Sequence, residues 1–95
     1  MEPTEKKAQQ LQQVAELTEN YIKIVGGVRP LSVREFAGRL NIHLQDKERI
    51  SHATIHNWRN GIHLPNQWTI WKLTKVEHPT WIADYANQLM TIING

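Results

Sequence analysis

Apolar side chains recur every three or four positions along most of this chain, with polar residues filling the intervals. Leu11, Val14/Ala15, Leu17/Thr18, Tyr21/Ile22 and Val25 make the first such stripe. That spacing predicts one long amphipathic helix from Ala8 to about Val25, with an outer face of Gln and Glu. Residues 1–7 show no pattern and read as a flexible tail. Gly26-Gly27 ends the helix, and Val28-Arg29-Pro30 makes the connection.

Ser32 followed by Glu35 is a capping-box signature, and it opens a second helix. Val33, Phe36, Ala37 and Leu40 are its apolar set, with Arg34 and Arg39 outside. Gly38 in mid-helix costs roughly 1 kcal/mol relative to Ala, so close approach of another helix against Ala37-Gly38 is the expectation. The helix ends at Leu40-Asn41. A polar nine-residue connector, Ile42 to Ile50, follows, with room for a short helical turn near Gln45–Arg49.

Ser51 is a good N-cap for a third helix of about three turns. Ile55 and Trp58 give it an apolar back, while His52, Ala53, His56, Asn57, Arg59 and Asn60 occupy its front. Gly61 suits a left-handed exit, and Pro65 blocks a restart. A fourth helix is read over Asn66–Val76 from Trp68, Ile70/Trp71 and Leu73. A fifth is read over Thr80–Ile93 from Trp81/Ile82, Tyr85, Leu89 and Ile92/Ile93, with Pro79 near its first turn. No stretch alternates with a period of two, and no repeat is visible. The expected fold is an all-α five-helix bundle.

Ninety-five residues leave room for one domain with one modest core. The absence of cysteine excludes disulfides and thiolate metal sites. No signal-peptide core and no long apolar run are present, so a cytoplasmic protein is expected, nucleoid-associated when bound to DNA. The net charge of +2 hides an asymmetry. From Arg29 to Lys75 there are eight Lys/Arg against three acids, a net of +5, and four of the five histidines lie there too. The flanks together carry −3. A basic segment around a helix with a donor- and acceptor-rich front suits the major groove of duplex DNA.

S-V-R-E-F-A-G-R-L followed by I-S-H-A-T-I-H-N-W-R-N-G-I-H-L-P resembles the helix-turn-helix of the lambda-repressor/Cro-like (XRE-type) family. Glu35, Phe36, Ala37 and Leu40, then Ser51, Thr54-Ile55, Trp58, Asn60-Gly61 and Pro65, carry the likeness. It covers about Leu31 to Val76, half the chain, and implies a single helix-turn-helix domain over 8–95 with its core at about 31–65. One feature departs from the family. Its members join the two helices through about three residues, whereas Leu40 to Ser51 spans eleven steps here. Ile50 would take the apolar turn position, with the inserted residues looped out.

The resemblance implies base reading by the first turns of the third helix: His52, Ala53, His56 and Asn57. Asn57 suits adenine N6 and N7, Ala53 a thymine methyl, and a histidine can donate to guanine. Phosphate contacts would come from Ser32, Arg34, Lys47, Arg49, Ser51, Arg59 and Asn60, fixing register without reading sequence. The implied function is sequence-specific binding of double-stranded DNA for transcriptional regulation, repressor-like. A homodimer would suit paired half-sites. Two alternatives stay open: a protein-interaction module on the same fold, and an excisionase-like or architectural DNA-binding factor.

Other chemistry is thin. His52 and His56 share a helix face, but two imidazoles without Cys or a suitably placed acid do not complete a zinc site. Ser51 and His52 are adjacent on a helix and point apart, so neither a catalytic set nor a cofactor or small-molecule ligand is expected. Four tryptophans are many for this length, and aromatics in a basic segment can stack on single-stranded bases. Helical spacing instead assigns Trp58 and one of Trp68/Trp71 to the core, leaving another tryptophan for an oligomer interface. The fifth-helix stripe reads as intramolecular core rather than a dimer seam.

Overall fold

Side-chain caps and two left-handed glycines set the helix ends in the computed structural model, which describes residues 3–95. Five helices result: α1 Pro3–Gly26, α2 Val33–Asn41, α3 His52–Arg59, α4 Gln67–Leu73 and α5 Thr80–Asn94. A 3₁₀ turn at Asp46–Glu48 lies between α2 and α3, and no strand occurs among the described residues. The fold is all-α.

At a rise of 1.5 Å per residue the 24 residues of α1 extend about 36 Å. They account for the longest dimension of the molecule, 38 Å. α1 lies against both α3 and α5, while α2 packs on α3 and α4 on α5. Gly27 at φ +73° ends α1 and Gly61 at φ +68° ends α3, both in the region that disfavours a Cβ. The Ser32 hydroxyl accepts from the Glu35 amide at 3.0 Å, and the Ser32 amide donates to the Glu35 carboxylate at 3.1 Å. That amide, and then the hydroxyl, hold the Glu35 carboxyl below the usual carboxylate range. Asn66 caps α4 by accepting from the amides of Trp68 and Thr69.

Tyr85 stands where α1, α2 and α5 converge. Its hydroxyl and that of Thr18 share a hydrogen bond of 2.7 Å in the core. Its ring lies 5.0 Å from Tyr21 and meets Phe36 edge-on at 5.4 Å, and Phe36 in turn meets Trp81 at 5.5 Å. Burial pushes the Tyr85 hydroxyl far above the usual tyrosine range. Val14, Ile22, Leu31, Ala37, Leu40, Ile50, Ile55, Trp58, Ile70, Leu73, Ile82, Ala86 and Leu89 complete the core. The α5 stripe is therefore intramolecular core. Gln10 reaches across to donate to the carbonyls of Ile92 and Ile93, so α1 also closes the C-terminal end of α5.

Several sequence expectations change. α1 begins at Pro3, inside the stretch read as a tail, five residues before the expected start at Ala8; residues 1 and 2 lie outside the described residues. α3 has eight residues, nearer two turns than three. α4 is shorter at both ends than the expected span. Gly38 is exposed, and a Cβ there would meet nothing within 4 Å, so no helix approaches it closely. Trp58 is core, but Trp68 and Trp71 both face outward. In a seven-residue helix, Ile70-Leu73 and Trp68-Trp71 are competing stripes of equal spacing, and the aliphatic pair takes the buried side.

Thr18→Val keeps the shape of the core but leaves the Tyr85 hydroxyl without a partner. It is expected to cost about 1–3 kcal/mol in urea unfolding. Adding Tyr85→Phe should recover most of that loss, because both polar groups then disappear together.

Candidate nucleic-acid interface

α3 is held from behind by Ile55 and Trp58, which are buried, and Ser51 caps its start by accepting from the Thr54 amide at 3.1 Å. α2 packs on it, and a single side chain ties its start to the end of α2. The Asn41 amide donates to the Ile50 carbonyl at 2.8 Å, and its carbonyl oxygen accepts from the Ile50 amide at 2.6 Å. This two-point clamp joins the end of α2 to the residue before Ser51 and lets the intervening residues loop out. Ile50 is buried, while Ile42 stands in solvent. The loop is pinned again at Glu48, whose carboxylate accepts from the Gln45 amide and forms an ion pair with Lys72 of α4.

The outward side of α3 presents His52, Ala53 and His56, all exposed. Asn57 follows about 100° further round. It is half-buried in a recess of about 280 Å³ that it shares with Arg49 and His63. The four expected base-reading residues thus divide into three on the open face and one at its margin.

The expected phosphate contacts also separate into groups. Arg34, Arg49, Ser51 and His52 line one groove of about 350 Å³ between α2 and the start of α3, and none of its lining residues is acidic. Gly38 also lines that groove. Ser32 and Lys47 are exposed. Arg59 turns the other way, with its Nε donating to the Glu19 carboxylate of α1 at 2.7 Å. Asn60 folds back on its own helix: its side-chain amide donates to the His56 carbonyl at 2.8 Å and lies 3.2 Å from the His56 ring.

No group of three or more His, Asp or Glu side chains able to hold a metal ion is found among the described residues. Among the described residues no helix is long and apolar enough to cross a membrane.

Sequence reasoning missed Asn41 and the open position of Gly38. An Asn at a helix end is a common stop signal, and nothing local shows that its partner lies nine residues on. Asn41→Ala is expected to lower stability by about 1–3 kcal/mol, because the buried ends of Ile50 lose both partners. Urea unfolding measures it, and an unchanged midpoint would remove the clamp from this account.

Comparison of the chain with the patterns of known families, with curated proteins and with solved structures finds no match in any of the three.

Proposed function

We propose that this protein is a helix-turn-helix protein of the lambda-repressor/Cro-like type that binds double-stranded DNA sequence-specifically and regulates transcription. What supports this reading above all is the outward side of α3. A capped, acid-free helix exposes His52, Ala53 and His56 in succession, beside a groove carrying Arg34 and Arg49. The major groove admits one helix, and its base edges offer acceptors and donors that imidazoles can meet. His52, Ala53 and His56 are the base-reading residues in this scheme, with Asn57 reaching base edges from the margin. The cations beside the α2–α3 groove sit where phosphates would flank an inserted helix, and their neutralisation of the backbone supplies affinity by counterion release.

Arg59 and Asn60 play lesser parts. Arg59 shares its charge with Glu19, which offsets the attraction of a phosphate, and Asn60 directs its amide toward His56. His56 is thereby steered by its own neighbour before DNA arrives.

The deciding experiment is selection of bound duplexes from a randomised library at moderate salt. Enrichment of a defined motif supports the reading, and an inverted repeat adds a two-fold assembly with its half-site spacing. No enrichment at any salt concentration would end it. Marked bending of DNA without enrichment would favour an architectural factor instead.

Two variants sharpen the assignment. His56→Ala is expected to relax preference at one base pair, with a cost there of roughly 1–3 kcal/mol, and equal losses on all sequences would remove it from base reading. Arg49→Ala should weaken binding alike on every sequence and lower the salt slope by about one unit, and Arg59→Ala should lower it by less. Binding titrations across a salt series check both slopes.

A further inference from the structure

A second surface lies on α4 and shares no lining residue with the α2–α3 groove. Trp68 and Trp71 are 60% and 45% exposed, and their rings stack on each other at 5.2 Å with 18° between planes. With Asn66, Gln67 and Met90 they line an open recess of about 560 Å³. Two lysines rim it: the Lys72 ammonium lies 5.1 Å from the Trp68 ring centre, and Lys75 lies 5.1 Å from that of Trp71. Lys72 is anchored by Glu48, whereas Lys75 makes no ion pair among the described residues. None of the residues lining the recess is acidic.

We propose that this recess is a docking site for an acidic peptide segment of a partner protein, with an apolar anchor in the recess lined by Trp68, Trp71 and Met90 and a carboxylate toward Lys75, whose charge no acid shares among the described residues. Charge complementarity selects this occupant over a second copy of the chain. A two-fold contact would set the lysine rim of one copy against the same rim of the other. The area points the same way. A tryptophan offers at most about 250 Å², so the exposed parts of the pair come to the same order. A stable interface buries about 800 Å² per partner. The patch is therefore the size of an anchor pocket for a short segment. Exposed tryptophans with an adaptable methionine are the side chains that such anchors use. Single-stranded nucleic acid fits less well, because each indole already has the other stacked on it and an ammonium over its ring.

The test is selection of random dodecapeptides displayed on phage against the full chain, followed by titration of the enriched peptides. Acidic sequences with an aromatic or aliphatic anchor should emerge. Their binding should fall about tenfold or more with Trp68→Ala and with Lys75→Glu. It should be unchanged by His56→Ala, which separates this surface from DNA reading. Lys75 and Trp68 are exposed, so the folded core survives both changes, and Lys75→Glu leaves the rings in place. Failure to enrich any peptide, enrichment of non-acidic peptides, or equal binding to the Trp68→Ala protein would each overturn the proposal. So would self-association in sedimentation that Trp68→Ala abolishes, which would assign the patch to a second copy. An oligothymidylate that shifts the indole N–H resonances of Trp68 and Trp71 would assign it to single strands.

Discussion

The packing of this protein depends on how Tyr85 is satisfied. Its ring is enclosed by aromatic side chains from α1 and α2, and its hydroxyl is left with one partner in the core, Thr18. A buried hydroxyl without a partner costs as much as a large core contact contributes, so α1 and α5 are held at the separation that keeps the pair together. Phe36 packs against that fixed ring, and α2 takes its place through it. Apart from Trp58 and the partly buried Trp81, the rest of the core is aliphatic. Direction comes from this single polar contact.

A second constraint governs the surface that we propose meets DNA. α2 and α3 pack together, yet their chain connection is long and polar, and such a connection by itself would leave their relative placement loose. Asn41 removes that freedom by pairing with both backbone groups of Ile50. Glu48 then ties the loop to α4 through Lys72. A long insertion is tolerated because loop closure costs grow slowly with length and because its ends are clamped. The side chains of α3 are accordingly displayed from a rigid support, which is what precise recognition requires.

Charge is arranged with similar economy. The acidic flanks and basic middle meet where Glu19 of α1 pairs with Arg59 of α3, so one edge of the basic segment is neutralised. The opposite edge, around Arg34 and Arg49, has no acid lining its groove. Attraction for an anion is thereby concentrated on one side of α3. Lys72 of α4 and Lys75 just after it lie over exposed indoles and make a second and chemically different surface.

The sequence by itself determined the elements and most of the core. The capping box at Ser32 and Glu35, the N-cap at Ser51 and the left-handed exit at Gly61 are local events, set by groups within four residues of one another. Phe36, Leu40, Ile55, Trp58 and Leu89 are buried as their helical period requires. Helix length was less legible: α1 extends to Pro3 because a polar sequence can continue a helix without contributing to the core, and periodicity sees only the core-facing part. Only the tertiary structure decided which of two equal stripes on α4 is buried, since that depends on what α5 presents to it. It also decided that Arg59 turns to Glu19, that Asn57 sits at the margin of the α3 face, and that Asn41 closes the insertion. Each of these joins residues through space, and a local pattern of apolar and polar positions carries no information about a partner on another helix.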